Sequence, residues 1–187
     1  MKWNSKDEKC DNSNFRALFA ASAEELRWLC HTLTGDAELS DQAVDAALEQ
    51  SLKGASEVFR EWMLSWARRL IIKFCITTVR PGGFAQREYH LSPMSFRKVN
   101  CGHIRELLNL SSAALQQVLL QLDTLSRFVF VLRALEGYTR RDTALLLNID
   151  DRTCEWLYAQ AAETLGTNAT RQVEKDFGTG QTYAFAV

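Results

Sequence analysis

A run of basic side chains interleaved with tryptophans lies between residues 60 and 80. Arginine and lysine neutralise phosphates, and indole rings stack on unpaired bases, so this combination is typical of a helix that binds nucleic acid. The candidate phosphate-binding residues are Arg60, Arg68, Arg69, Lys73 and Arg80. An ordinary core helix with a solvated basic side is the competing interpretation.

The distribution of charge points to the same part of the chain. The whole sequence carries a net charge of −1, but residues 1–59 carry −5, residues 60–105 carry +7 and residues 106–187 carry −3. If the protein meets a polyanion, its middle is the part that does so.

The helix that would position these residues has an apolar stripe at helical spacing. The stripe consists of Phe59, Trp62, Met63, Trp66, Leu70 and Phe74. We predict that this stripe is buried, with Trp62 and Trp66 in the core and the basic residues on or beside the opposite face. Two amphipathic helices precede it, one over 14–33 and one from Ser40 to Gly54.

A second group of residues, around Asn148, predicts two successive helices joined by a tight turn. Thr139 can cap a short helix, with Asp142 near capping-box spacing, and Asn148 tolerates the left-handed conformation of a tight turn. Asp150 or Asp151 then caps the next helix.

The helix after this turn has a stripe that would face the first helix. Its members are Cys154, Leu157, Tyr158, Ala161 and Leu165. Together with the small Ala144 and the turn at Asn148, this stripe predicts a helix-turn-helix, although an ordinary helical hairpin has the same pattern.

The sequence as a whole predicts an all-α protein, because no strand-like alternation of any length occurs. We predict two small helical domains joined by a linker, the second a four-helix domain with the helix-turn-helix. The predicted segments are a flexible N-terminus 1–12, a first domain 13–79, a linker 80–104, a second domain 105–166 and a tail 167–187.

Catalytic, metal and membrane roles find no support in the sequence. The five cysteines are scattered without zinc-site spacing, and glycine-rich phosphate loops and nucleophile motifs do not occur. We therefore expect no catalytic residue, no metal, no cofactor and no enzymatic activity. The sequence also contains no uncharged apolar run of about 20 residues, so we expect a cytoplasmic protein that does not enter a membrane.

Three segments resemble the extracytoplasmic-function (ECF) sigma factors of bacterial RNA polymerase. The segments are LTGDAELSDQAVDAALEQS, FREWMLSWARRLIIK and LDTLSRFVFVLRALEGYTRRDTALLLNI. The third, which leads into the helix-turn-helix, is the most specific of the three. The resemblance implies that 13–79 is similar to sigma region 2 and 105–166 to sigma region 4.

The resemblance also implies a division of labour between helices. The second helix would contact core RNA polymerase through Asp41, Gln42 and Asp45, where Asp45 stands in place of the family's usual Gln. The third helix and the residue after its end would melt and hold the −10 element of promoter DNA. The residues implied for that role are Arg60, Arg68, Arg69, Lys73 and Arg80.

The last helix departs from the family, whose members place several basic residues on the exposed side of the recognition helix. The corresponding positions here are Glu155, Trp156, Leu157, Gln160, Ala162 and Glu163. From 150 to 165 one Arg stands against four acids, a net charge of −3, which predicts weak binding to phosphates. The remaining candidates for DNA contact in this domain are Arg140, Arg141, Arg152, Trp156 and Gln160.

Two functions are therefore compatible with the sequence. The first is a divergent sigma factor that binds core RNA polymerase and promoter DNA, with weakened recognition by the last helix. The second is a sigma-like protein-interaction module that has lost promoter recognition and regulates through a partner, for example an anti-sigma factor. In that case Trp156 and Leu157 would form an exposed apolar patch. The competing interpretation is that the C-terminal tail covers Trp156.

Overall fold

The computed structural model describes residues 12–54, 60–80, 107 and 109–178, and all regular secondary structure in these ranges is helical. The elements are α1 (Asn12–Thr34), α2 (Ala37–Gly54), α3 (Arg60–Val79), α4 (Ser112–Leu120), α5 (Thr124–Phe130), a π-helical segment (Val131–Leu135), α6 (Arg140–Leu147) and α7 (Asp151–Gly178). The predicted all-α class is confirmed. None of these helices combines the length and the apolar character that crossing a membrane requires.

The chain divides into two compact units, Met1–Gly83 and Phe84–Val187. The predicted flexible segment 1–12 lies outside the described residues apart from Asn12, which begins α1. The predicted linker 80–104 likewise lies outside them apart from Arg80, and so does the tail beyond Gly178.

In the first unit a tight turn joins α1 to α2. Gly35 adopts a positive φ of 78°, and its N–H donates to the His31 carbonyl at 2.8 Å. The Asp36 carboxylate accepts from the N–H groups of Glu38 at 2.9 Å and Leu39 at 3.2 Å, which caps α2. Because of this cap, α2 begins at Ala37, three residues before the predicted start.

The core of the first unit lies between the three described helices. It contains Phe19, Leu26, Leu29, Cys30 and Leu33 from α1, Ala43, Val44 and Ala47 from α2, and Ala67, Ile71, Ile72 and Cys75 from α3. Several of these side chains are small, so the helix backbones can approach closely.

The predicted burial of Trp62 and Trp66 is wrong, because these side chains are 68% and 41% exposed. The buried face of α3 is instead formed by Ala67, Ile71, Ile72 and Cys75. The error corresponds to a rotation of one residue, about 100° around the helix. Apolar residues occur on every side of α3, so the periodicity alone did not decide which side packs against α1.

In the second unit, side-chain caps begin α4 and α5. The Ser111 hydroxyl accepts from the Ala114 N–H at 3.3 Å, and the Asp123 carboxylate accepts from the N–H groups of Leu125 and Ser126 at 3.2 Å. The chain then continues as the π-helical segment and turns at Gly137, whose φ is 71°.

The helix after the turn is longer than we predicted. We placed the start of a weakly patterned tail at residue 167, whereas α7 continues to Gly178. Gly166 inside the helix keeps its N–H donor, so it weakens the helix by about 1 kcal/mol relative to alanine without ending it.

Candidate nucleic-acid interface

The turn of the helix-turn-helix has the geometry that the sequence predicted. The Thr139 hydroxyl accepts from the Asp142 N–H at 3.1 Å and donates to the Asp142 carboxylate at 2.7 Å, which caps α6. Asn148 ends α6 with φ 52° and ψ 52°, the left-handed conformation, and the Ile149 N–H donates to the Ala144 carbonyl at 3.0 Å. The turn is therefore held by local hydrogen bonds rather than by surface charge.

Asp150 caps α7 and so fixes the start of the second helix. Its carboxylate accepts from the Thr153 N–H at 2.9 Å and from the Thr153 hydroxyl at 2.5 Å. The hydroxyl bond, followed by the backbone bond, holds the pKa of Asp150 below its ordinary value, because both stabilise the ionised carboxylate.

The inward face of α7 packs as its predicted stripe requires. Cys154, Leu157, Ala161 and Leu165 are buried, and the Cys154 thiol donates to the Arg140 carbonyl at 3.6 Å. Burial raises the pKa of Cys154 to about 11, so this thiol is a packing group that stays protonated.

Two positions that we placed on the exposed side of α7 are buried. Leu157 and Ala162 belong to the core, so the predicted apolar patch of Trp156 and Leu157 is wrong. The prediction carried the outward positions over from the family, whereas Leu157 already belonged to the inward stripe. Trp156 is partly buried. The outward surface of α7 is therefore polar, with Gln160 and Glu163 among its exposed residues.

Acids at the start of α7 engage arginines of the same unit. Arg140 on α6 pairs with Asp151 at 3.1 Å, and Arg133 of the π-helical segment pairs with Glu155 at 2.9 Å. The Arg133 guanidinium also lies 4.0 Å from the centre of the Tyr158 ring, a cation–π contact. These two arginines are directed to the protein's own carboxylates and an aromatic ring.

The other predicted DNA-contact residues of this unit are on its surface. Arg141 on α6 and Arg152 on α7 are exposed, as is Gln160. Phosphate contact through this unit would fall to Arg140, Arg141 and Arg152, because the exposed Arg140–Asp151 pair is weak, whereas Arg133 forms a partly buried pair with Glu155.

In the first unit, α3 presents tryptophans and cations on one side. Trp62, Trp66, Arg69 and Lys73 are all exposed, and their spacing of four, three and four residues places them on one face of the helix. We call these four residues the Trp/basic face. We predicted that the tryptophans and the cations lie on opposite sides, and that prediction is wrong.

The remaining predicted residues of α3 differ in their surroundings. Arg68 points toward α1, where its guanidinium forms an ion pair with Glu25. Arg80 follows the end of α3 and is partly buried. The side chain of Arg60 lies outside the described residues.

The predicted polymerase-contact residues share the outer side of α2. Asp41, Gln42 and Asp45 are exposed, and Asp41 also pairs with Arg27 of α1 at 2.6 Å. An ion pair between two exposed groups is worth at most about 1 kcal/mol, so it leaves Asp41 available to a partner.

Arg127 is a buried cation that our sequence analysis did not single out. It lies in the core of the second unit, and its guanidinium donates to the Leu120 carbonyl at 3.4 Å. Burial lowers the pKa of Arg127, and the nearby Asp123 carboxylate opposes that shift. The signal in the sequence is a single cation inside the apolar run from Leu125 to Leu132.

The comparison with protein families agrees with this geometry. Residues 112–165 match the family model described as "Sigma-70, region 4", and a search of the curated proteins found no match to the chain. The matched segment begins with α4 and ends within α7, so it contains α6, the turn at Asn148 and the first part of α7. Residues 112–165 are therefore similar to sigma-70 region 4, and the similar segment contains the turn of the helix-turn-helix.

Proposed function

We propose that the protein is a transcription initiation factor of the ECF sigma type, which binds core RNA polymerase and promoter DNA in the cytoplasm. The observation that carries this proposal is the sigma-70 region 4 match, which falls on a helix-turn-helix with an intact turn. We propose a role without catalysis, in which the protein positions the polymerase and opens DNA.

The Trp/basic face of α3 is the surface that would hold the melted −10 strand. Indole rings stack on unpaired bases and contribute about 1–3 kcal/mol per base, irrespective of the base. Arg69 and Lys73 on the same face would neutralise phosphates of the strand whose bases stack on Trp62 and Trp66. The exposure of both tryptophans supports this role, because a buried indole cannot reach a base.

The outer side of α2 is the surface that would contact core polymerase. Its exposed carboxylates and amide match the implied contact residues Asp41, Gln42 and Asp45. The charge of this surface would suit a basic partner, and the exposed acids would raise the rate of association at low salt.

Recognition of the −35 element by α7 would be weak. Each phosphate contact steepens the slope of the logarithm of duplex affinity against the logarithm of salt by about 0.9. A surface with few cations should therefore bind duplex DNA weakly and respond little to salt. The carboxylates of Asp151 and Glu155 engage Arg140 and Arg133, and Glu163 adds an exposed acid further along the helix. Promoter binding would therefore depend on α3 more than on α7.

The test is complex formation followed by transcription. Purified protein mixed with core polymerase should comigrate in size-exclusion chromatography and should support promoter-directed RNA synthesis. Asp45→Arg should reduce comigration, whereas Glu24→Arg, the same change at an exposed position of α1, should not. Absence of both comigration and initiation with the unchanged protein would refute the proposal, and equal effects of the two variants would refute the assignment to α2.

A second candidate is a sigma-like module that acts through a protein partner. It is favoured by the acids of α7, because Asp151, Glu155 and Glu163 leave this helix with little positive charge for DNA. The partner surface would be polar, made by Gln160 and Glu163 with part of Trp156, since Leu157 is buried. Comigration with polymerase without initiation, together with duplex binding that does not respond to salt, would favour this candidate.

A further inference from the structure

Two cysteines from different helices meet in the core of the first unit. The Cys75 thiol of α3 donates to the Cys30 sulfur of α1, with the two sulfur atoms 3.2 Å apart, and both side chains are fully buried. The residues are 45 positions apart in sequence, so the contact is created by the packing of α1 against α3. Both are unoxidised thiols in this structure.

Cys30 lies where all three described helices of the unit converge. Its thiol donates to the Leu39 carbonyl of α2 at 3.7 Å while its sulfur accepts from Cys75 of α3. The nearby Thr34 and Ser40 hydroxyls donate to backbone carbonyls, of Cys30 at 2.9 Å and of Asp36 at 2.8 Å. Hydrogen bonds to α2 and α3 therefore fix the position of the Cys30 sulfur.

The two sulfurs differ in the form they prefer. The hydrogen bond from Cys75 lowers the pKa of Cys30 against the opposing effect of burial, with smaller contributions from Ser40 and Thr34. The same hydrogen bond, followed by burial, raises the pKa of Cys75. Because the sulfur atoms are only 3.2 Å apart, an oxidant that reacts with one of them leaves the other in place to resolve the product.

We propose that Cys30 and Cys75 form a reversible, peroxide-responsive dithiol–disulfide pair that fastens α1 to α3. A disulfide joins sulfurs at about 2.05 Å, so the atoms have only to move about 1.2 Å closer than their contact distance of 3.2 Å. The proposal does not depend on the proposed function.

The chemistry balances with hydrogen peroxide as the oxidant. One of the two sulfurs attacks a peroxide oxygen, so that an S–O bond forms, the O–O bond breaks, and the departing hydroxide leaves as water with the proton of that thiol. The other sulfur then displaces the hydroxyl of the sulfenic acid; an S–S bond forms, the S–O bond breaks, and a second water leaves with the proton of the second thiol. The two thiols lose two electrons and the peroxide gains two.

Peroxide is small and uncharged, so it reaches the buried pair through local opening of the helices rather than through a permanent channel. A dithiol reductant reverses the bond by thiol–disulfide exchange. Cys154 provides a contrast in the second unit, because it is buried with its thiol donating to a backbone carbonyl and no second described cysteine beside it.

The experiment uses the full-length protein and mass spectrometry. Reduced protein is treated with hydrogen peroxide, remaining thiols are blocked with N-ethylmaleimide in denaturant, and the product is digested with trypsin. Trypsin releases Cys30 in residues 28–53 and Cys75 in residues 74–87, and neither peptide contains another cysteine. The expected result is a cross-linked pair of these peptides that lacks two hydrogens and separates on reduction.

Two further measurements decide between a built pair and accidental oxidation. The oxidised protein should melt several degrees above the reduced protein, because the disulfide lowers the conformational entropy of the unfolded chain. Cys154→Ala should retain both the cross-link and the rise in melting temperature, and Cys30→Ala should lose both. Peroxide treatment in denaturant should give mixed pairings with Cys10, Cys101 and Cys154.

The opposite results would overturn the proposal. They are full N-ethylmaleimide labelling of both peptides after oxidation, a sulfinic acid on Cys30 without a cross-link, or folded protein that gives the same mixed pairings as denatured protein. The central readout is made on the unchanged sequence, so it stands even if Cys30→Ala fails to fold.

Discussion

The two helices that a sigma-type protein would bring to DNA, α3 and α7, present opposite surfaces. On α3 the tryptophans Trp62 and Trp66 share an exposed face with Arg69 and Lys73. On α7 the acids Asp151 and Glu155 bind arginines from neighbouring elements. The surface better suited to DNA would therefore be that of α3, although the sigma-70 region 4 match falls on the unit that contains α7.

This difference shows that the helix-turn-helix fold and its DNA-binding surface depend on different residues. The turn is held by the caps at Thr139 and Asp150 and by the left-handed Asn148. None of these needs a basic outward face. Substitutions on the exposed side of a helix usually change stability by no more than about 0.5 kcal/mol, so the charge of α7 can change while its fold persists.

The largest effect that we predict is a loss of stability that distinguishes the inward face of α7 from its outward face. Leu157→Ala should lower the free energy of unfolding of the second unit by about 2–5 kcal/mol, because it leaves a cavity under a buried side chain. Gln160→Ala, at an exposed position of the same helix, should lower it by less than about 0.5 kcal/mol. Denaturant unfolding followed by circular dichroism measures both. Equal losses would mean that the outward face also holds the domain together.

The next effect concerns single-stranded DNA and the Trp/basic face. Trp62→Ala and Trp66→Ala should each weaken binding to a single-stranded oligonucleotide by about 1–3 kcal/mol, because each removes a stacking surface. Fluorescence anisotropy of a labelled oligonucleotide measures the dissociation constants.

Leu64→Ala is the matched control for this face. Leu64 is 40% exposed on α3, close to the exposure of Trp66, but it lies on the other side of the helix. Its replacement should leave binding unchanged. A loss as large as that of the tryptophan variants would show that the chosen face of α3 is not the binding surface.

A third prediction concerns a variant of α7 whose exposed surface carries cations, as the surface of α3 does. Gln160→Lys combined with Glu163→Lys places two cations on exposed positions of α7. If both reach phosphates, the slope of the logarithm of duplex affinity against the logarithm of salt should steepen by about 2, and affinity at low salt should rise roughly tenfold.

Asp45→Lys with Glu49→Lys is the control for this change, since it alters exposed acids of α2 in the other unit. It should affect duplex binding less than the α7 variant does. An unchanged slope for the α7 variant would mean that α7 does not approach DNA, which would favour the protein-interaction function.

The parts of the fold that sequence could predict are those fixed by local chemistry. The caps at Asp123, Thr139 and Asp150 each bond an N–H two or three residues ahead, so their residue types and spacing are sufficient signals. The left-handed turn at Asn148 is local in the same sense.

Some errors were local, such as the outward placement of Leu157 and the missed cap of α2 at Asp36, but the others concern contacts between residues far apart in sequence. Which side of α3 is buried depends on its packing against α1, and the ion pair of Arg133 with Glu155 joins residues 22 positions apart. The contact of Cys30 with Cys75 spans 45 positions. The periodicity within one helix does not show which residues of other helices it contacts. The acidic charge of α7 was therefore predictable, but the arginines that pair with its acids were not.

The smallest predicted effect tests the cap that fixes the start of α7, and with it the claim that the fold of this helix is independent of its charge. Asp150→Ala should lower the free energy of unfolding by about 1 kcal/mol at neutral pH, because the Thr153 N–H loses its acceptor. Asp150→Asn should retain most of this stability, since asparagine caps about as well. Glu163→Ala, an exposed acid outside the first turn, should change it by less than about 0.5 kcal/mol.

The acid dependence of stability distinguishes the hydrogen bond of this cap from its charge. In the folded state the hydrogen bonds from Thr153 hold the pKa of Asp150 below its ordinary value of 3.8. The ionised cap therefore adds stability above that ordinary value, and this contribution is lost as the pH falls from it through the lower folded pKa. Asp150→Asn cannot ionise, so its stability should decline less over this acid range. Asp150→Ala and Asp150→Asn could instead lose equal stability at neutral pH. That result would mean that the negative charge at the start of α7 stabilises the helix through its dipole, so that the fold of α7 depends on its charge.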